Sequence, residues 1–304
     1  MEPSVFCDSP EIIPFTHQPE IRQLTVFDVG MNNGDDSAHY LSKGYKVIAV
    51  EANPLLVQRA RARFLPEITS GQLVIEPLGI RDHSGKGPFW INEERDVFSS
   101  FDRGRASRDG VPCRSVDVDF VTLDTLLKKH GLPYYLKLDC EGSEPHCLTS
   151  LQSIGLPEYL SVEAEKLEYL LLLWQLGYRQ FKIVDQMRHN SRFPAFTNNN
   201  VFSRLAKGMC GYADRLKNRT VKVAFPRGCS GPLGEDAPGS WQTFEEVAYN
   251  WLHLHFGHND RGSLSPNSWY DFHAKATGPS IEMRFEPVRS FRNESHIRDP
   301  RVCA

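Results

Sequence analysis

From Leu24 onward, short apolar runs alternate with stretches of helical spacing. Val26-Phe27-Asp28-Val29 runs into a glycine-bounded loop, after which Asp36 or Ser37 is placed to cap a helix that Gly44 closes. Val47-Ile48-Ala49-Val50 reads as a second strand. Pro54 then opens a second helix with Leu55, Leu56, Ala60 and Phe64 as its inward face. Further strands are predicted over 72–78, 134–139, 159–164 and 180–185. Strands separated by helices imply a parallel sheet with crossovers on both faces, an α/β doubly wound fold.

The first loop narrows the chemistry. Gly30-Met31-Asn32-Asn33-Gly34 lies between strand and helix, and Glu51 ends the next strand. A separation of about 20 residues is the usual one for an acid that bonds ribose hydroxyls. Strand, glycine loop, helix and acid-tipped strand make up a nucleotide-binding βαβ unit. A dinucleotide fingerprint needs a third glycine, and a phosphate loop needs Gly-Lys-Ser/Thr; this loop has neither. Asp28 before the turn and the acids after it repel a bare pyrophosphate and suit a ligand with an amine or sulfonium end. S-adenosylmethionine fits better than NAD.

Asp28-Val29-Gly30-Met31-Asn32-Asn33-Gly34, with Val50-Glu51-Ala52-Asn53-Pro54 behind it, resembles the FkbM-type methyltransferases. Leu136-Lys137-Leu138-Asp139-Cys140-Glu141-Gly142-Ser143-Glu144 is similar to that family's lysine–acid–glutamate–glycine–glutamate signature. Thr122-Leu123-Asp124-Thr125-Leu126-Leu127 precedes it and Ser161-Val162-Glu163-Ala164-Glu165 follows, so the resemblance spans roughly 24 to 186. Two departures stand out: Cys140 replaces a small aliphatic residue, and Pro145 interrupts the following helix start. The resemblance implies a class I, Rossmann-like sheet of seven mostly parallel strands. Its last strand, antiparallel, is best matched by 269–274. The family pattern further implies cofactor contacts from Asp28, Gly30, Asn32, Asn33, Gly34, Ser37, Glu51, Ala52, Asn53, Gly79 and Asp139.

Composition sets limits. With 304 residues, 40% hydrophobic and 24% charged, the chain can bury a substantial core. A net charge of −3 argues against a nucleic-acid binder. No apolar run is long enough to span a bilayer, and Met1-Glu2-Pro3-Ser4 does not start a secretory signal, so a cytoplasmic location is expected. Seven scattered cysteines without C-x-x-C spacing suit free thiols in a reducing compartment. Asn218-Arg219-Thr220 and Asn293-Glu294-Ser295 then match the glycosylation pattern by chance. The expected layout is an N-terminal lead-in over 1–23, a core over 24–186 and an insertion over 187–268. A last strand over 269–276 and a polar tail over 277–304 complete it.

Asp139, Glu141 and Glu144 fall at the carboxyl end of a predicted strand, where open α/β sheets bind ligands. Carboxylates so close together raise one another's pKa, which suits removal of a hydroxyl proton. Glu141 is the expected base, with Asp139, Glu163 and Glu165 in the same pocket. Lys137 shares a strand face with Asp139, either as its ion-pair partner or as part of the site. Acids on adjacent strand tips also offer oxygen ligands to a divalent cation, and the sequence leaves a metal-free base and a metal site both open. His253, His255 and His258 do not share one helix face and read as a polar helix end. Arg103, Arg105 and Arg108 follow Ser99-Ser100 in a predicted loop, either solvated or reaching over the cofactor towards an acidic or phosphorylated substrate.

Within the insertion, the glycine- and proline-rich stretch 226–240 precedes an amphipathic helix over 241–255. Together they read as a lid, its helix docked through Phe244 and Trp251. The expected activity is S-adenosylmethionine-dependent O-methylation of a small-molecule hydroxyl on a sugar, glycolipid or natural product. The rivals are a NAD-dependent oxidoreductase and a non-catalytic adenosyl-ligand-binding protein, which would need no acid cluster.

Overall fold

The computed structural model describes residues 24–187, 189, 225, 228–256 and 269–277. Expectations for 1–23, for most of 187–268, including His258, and for the tail after Thr277 lie outside them. The strands are β1 (Thr25–Val29), β2 (Lys46–Val50), β3 (Leu73–Glu76), β4 (Gly79–Ile80) and β5 (Gly85–Asn92). They continue with β6 (Cys113–Val121), β7 (Tyr135–Leu138), β8 (Tyr159–Glu163), β9 (Gln180–Asp185) and β10 (Tyr270–Lys275). The helices are α1 (Asp35–Ser42), α2 (Pro54–Arg63), α3 (Leu65–Thr69) and α4 (Arg103–Ala106). After them come α5 (Leu123–His130), α6 (Glu144–Ser150), α7 (Leu167–Leu176) and α8 (Phe244–Phe256).

Seven strands form one sheet in the order β3-β2-β1-β7-β8-β10-β9. Its parallel members run together, and β10 is antiparallel to both β8 and β9. This is the doubly wound, mostly parallel seven-stranded sheet with an antiparallel last strand that the sequence implied. Side chains alternate between two cores, as the period of a strand requires. Phe27, Leu136, Leu160, Phe181 and Phe272 face α5, α6, α7 and α8. Val26, Val47, Leu73, Tyr135 and Tyr159 face α1 and α2 on the other side.

Local chemistry sets the helix ends. Asn53 caps α2 by accepting from Leu55 N at 3.0 Å, and Pro54 follows, where a missing N–H costs nothing. Thr243 and Glu246 form a capping box at α8: Thr243 N donates to Glu246 Oε2 at 3.0 Å and Glu246 N to Thr243 Oγ1 at 3.4 Å. Pro145 sits in the first turn of α6 and does not interrupt it. Asp36 and Ser37 lie inside the first turn of α1 rather than capping it; Gly34 is the cap residue.

One layer went unread in the sequence. β4, β6 and β5 form a separate three-stranded sheet. β6 carries a legible period of two, with Val118 and Phe120 buried and Asp117 and Asp119 exposed. The stretch 103–110, expected as a loop, is α4 followed by a 3-10 turn, with Asp102 accepting from Gly104 N at 2.6 Å.

The segment read as a lid is packed into the body. Cys229, Ser230, Leu233 and Ala237 are buried, and Leu233 joins the core of Tyr40, Tyr135 and Tyr159. Lys182 Nζ donates to the carbonyls of Gly234 (3.2 Å) and Ala237 (2.7 Å), fixing the segment to β9. α8 does dock through Phe244 and Trp251, but onto β9 and α7, on the sheet face opposite Leu233. In this conformation the segment rests on the sheet through these buried groups. Leu233→Ala is therefore expected to destabilise the chain by about 2–4 kcal/mol, as for other buried leucines. A urea midpoint equal to that of the parent would mean that Leu233 adds nothing to the stability of the fold.

Candidate active site

The carboxyl ends of β1, β2, β7 and β8 open into a cleft that β4, β5 and the stretch 96–101 wall off on one side. Gly30 makes the first turn possible. Its φ is +83°, and a Cβ there would stand 1.6 Å from the Asp139 carbonyl oxygen, so the tips of β1 and β7 touch at this point. Gly30 N and Met31 N both donate to Val50 O at 3.0 Å, closing the β1 and β2 tips together.

Glu51 is buried beneath that loop. Its Oε2 accepts from Asn32 N at 2.8 Å and its Oε1 from Asn53 N at 2.7 Å. Burial pushes its carboxyl up to about 7 despite these two bonds, with Asp28 adding to the rise. Each oxygen keeps a lone pair for a ligand hydroxyl.

Lys137 supplies the site's central charge. Its ammonium lies 3.1 Å from Asp28 Oδ1 and 3.5 Å from both Asp36 Oδ2 and Asp139 Oδ2, and it donates to Gly30 O at 3.2 Å. Burial alone would lower its pKa, but these carboxylates more than reverse that and hold it well above the ordinary lysine value. Asp36 is pushed up to about 6, chiefly by burial, while Lys137 and the N–H groups of Gly231 and Ser230 pull the other way.

The turn after β7 is built by Glu144, whose two oxygens accept from Cys140 N and Gly142 N, each at 2.8 Å. That brace holds Glu141 at φ +49°, a conformation rare for a residue with a side chain. Burial first, then Asp139, drives the Glu141 carboxyl up to about 7, against the pull of Arg108 and Arg105. Glu163, at the β8 tip, is held well above the ordinary range by burial and by Asp139 and Glu141.

Of the residues expected at the site, Gly30, Asn32, Asn33, Glu51, Ala52 and Gly79 line the cleft. So do Asp139, Glu141 and Glu163. Asp28, Gly34, Ser37 and Asn53 do not reach its wall. Asp28 takes Ser37 Oγ at 2.6 Å and pairs with Lys137, Gly34 sits against the Phe64 ring, and Asn53 caps α2. Unforeseen wall residues are Phe89, Val97, Phe98 and Phe101 from the second sheet and its loop, and Gln186, Cys229 and Trp269 from the C-terminal part. The period of β6 could have flagged the first group; nothing in the local pattern marks the second.

Arg105 and Arg108 both bind Glu141, and Arg108 also lines the cleft. Arg103 lies over the Trp90 ring. His253 stacks on Tyr249, and His255 stacks on Trp251. Among the described residues no group of three or more His, Cys, Asp or Glu side chains is arranged to hold a metal ion. Among them, too, no helix is long and apolar enough to cross a membrane.

A nucleotide-type loop, an acid on the β2 tip and a carboxylate turn on the β7 tip define a Rossmann-like, methyltransferase-type site. The methyltransferase FkbM domain matches residues 28–179, and the chain belongs to that family. Membership implies S-adenosylmethionine as co-substrate. Among solved structures, the chain is similar to methyltransferase FkbM from Methylobacillus flagellatus, with 17% identity and a TM-score of 0.34. That match covers 49% of this chain and only 36% of that one. Similarity extends to precorrin-6y C5,15-methyltransferase from Geobacter metallireducens (9% identity, 84% of this chain and 80% of that one, TM-score 0.34). A TehB-like S-adenosylmethionine-dependent methyltransferase from Corynebacterium glutamicum also matches (10% identity, 54% and 70%, TM-score 0.30). No curated protein matches the chain. The family assignment rests on the domain match alone.

Glu51 and Asp36 titrate higher in the folded chain than free carboxyls do. The folded state therefore holds more protons from the ordinary carboxyl range up to about 7, and stability falls as pH rises through that window. Glu51→Gln is expected to remove up to about 3 kcal/mol of that fall. Urea midpoints measured across the window test it; parallel curves for both proteins would mean that Glu51 stays charged throughout.

Proposed function

We propose that this chain is an S-adenosylmethionine-dependent O-methyltransferase, acting on a hydroxyl of a sugar, glycolipid or other small natural product. The observation that carries the reading is Glu141. It lies on the same cleft wall as the Gly30 loop and Glu51, and its carboxyl is poised at about 7. A general base works best when its pKa lies near the operating pH.

The residues present suit this cofactor. Glu51 has the lone pairs to accept both ribose hydroxyls, and the loop from Gly30 to Asn33 approaches with backbone. Phe101 packs on Gly79 beside Ala52, an apolar flank for a flat base. Asp35, Asp36 and Asp139 give the opposite end of the wall the negative charge that a sulfonium and an ammonium call for. When bound, the cofactor supplies an electrophilic methyl group on a cationic sulfur. The protein's own part is to hold the acceptor in line, keep water out and take the hydroxyl proton on Glu141. Glu163 and Asp139 keep that carboxyl from ionising too easily, and so keep it basic.

Two measurements test the assignments. Glu51→Ala is expected to weaken S-adenosylhomocysteine binding by roughly 1.5–3 kcal/mol in titration calorimetry, because two hydroxyls lose a charged acceptor. Equal affinity would reduce Glu51 to a brace for the loop. Glu141→Gln is expected to leave that affinity nearly intact while slowing transfer of labelled methyl to hydroxylated acceptors by about 10²–10⁴-fold. Unchanged transfer would move the base to Asp139 or Glu163. Activity that EDTA abolishes and magnesium restores would replace the metal-free base with a cation.

A further inference from the structure

Two guanidinium groups hold Glu141 by the same oxygen. Arg105 Nη1 lies 3.1 Å and Arg108 Nη2 2.5 Å from Oε2. Among the described residues, Oε1 accepts no hydrogen bond. The arginines are themselves braced. Arg108 lies 4.1 Å over the Phe98 ring and donates from Nε to Arg105 O at 3.1 Å. Arg105 gives its other terminal nitrogen to Glu165, just past the β8 tip. Its chain crosses Gly142, where a Cβ would meet Nε at 3.1 Å and Cδ at 3.2 Å. The Glu141 main chain is tied to the same stretch, since Ser100 Oγ donates to its carbonyl at 2.7 Å.

We propose that Arg105 and Arg108 are positioning residues that fix the Glu141 carboxylate through Oε2 and leave Oε1 to receive the acceptor's proton. The proposal rests on the reading of Glu141 as the base. A carboxylate otherwise turns freely about its last torsion, so pinning one oxygen defines where the other points. The same pair decides whether a base exists at neutral pH. Asp139 lies on the same turn and Glu163 at the β8 tip faces Glu141, while Glu165 and Glu144 act on Arg105. Burial and Asp139 favour the protonated form of Glu141, and Arg108 and Arg105 oppose them. Without the arginines Glu141 would shift further towards the protonated form.

Carbon-13 titration of glutamate-labelled protein reads this without any acceptor, with Glu141→Gln identifying the resonance. Arg108→Met and Arg105→Met are each expected to raise the Glu141 midpoint by about one pH unit or more. Arg108→Lys, which keeps the charge, is expected to recover most of that rise. In turnover, the ascending limb of the rate–pH curve moves up with the midpoint, because only ionised Glu141 is active. A far-ultraviolet circular dichroism spectrum and a urea midpoint close to those of the parent serve as the folding control. Should Arg105→Met fail to fold, Arg108→Met carries the test, since that side chain is 34% exposed. An unmoved Glu141 midpoint in a variant that folds overturns the clamp, whatever Glu141→Gln does. A Glu141→Gln protein that methylates at the parental rate overturns the base reading instead and leaves the titration shift standing, so the two failures are distinguishable.

Discussion

The strand tips are held together by one buried ammonium, that of Lys137. Asp28 comes from β1, Asp36 from α1 and Asp139 from just beyond β7, and all three carboxylates lie within 3.5 Å of it. A buried carboxylate left without a partner costs several kcal/mol, so this cluster persists only because one cation serves three anions. Burial still pushes the Asp36 carboxyl up, and backbone N–H groups from Ser230 and Gly231 donate to it. A cofactor with a sulfonium and an ammonium would add positive charge beside these carboxylates.

The second sheet answers a different need at the other side of the cleft. β5, β6 and the loop after β5 place Ser100, Arg105 and Arg108 over the turn that carries Glu141. The Trp90–Ser100 bridge anchors that loop, with paired backbone bonds of 2.8 and 2.9 Å. Lys137 thus organises the floor from the main sheet, while the arginines organise the turn from the small one. Glu141 lies where the two meet.

The main sheet was legible because β1, β2, β7 and β8 each carry a short apolar run, a glycine or acid at the tip, and a helix next in line. Gly30, Glu51, Asp139 and Glu141 could be placed at strand tips for the same reason. The small sheet is less legible although β6 alternates cleanly, because an antiparallel pair between β4 and α5 has no place in a βαβ repeat. The fate of Arg105 and Arg108 was not readable at all. A charged residue in a glycine-flanked stretch has the same local signature whether it meets water, a substrate or Glu141. Only the crossing of two sheets decides among them.

The glycine- and proline-rich segment rests on a surface of its own kind. Asp28, Lys137, Ser161, His273 and Lys182 stand in register across five adjacent strands, all buried and all on the α1 face of the sheet. A regular helix laid over such a row would offer it almost no backbone partners, because its interior N–H and C=O groups are already bonded to each other. An irregular segment keeps those groups to give. The stretch from Ser230 to Ala237 gives two N–H groups to Asp36 and two carbonyls to Lys182, and it inserts Leu233 beside Tyr135 and Tyr159. The glycines and prolines of this segment let the backbone bend to meet a polar row. Gly231 and Gly234, both at positive φ, make two of those bends. Composition alone does not say what such a segment rests on; the buried row beneath it explains why an irregular backbone lies there.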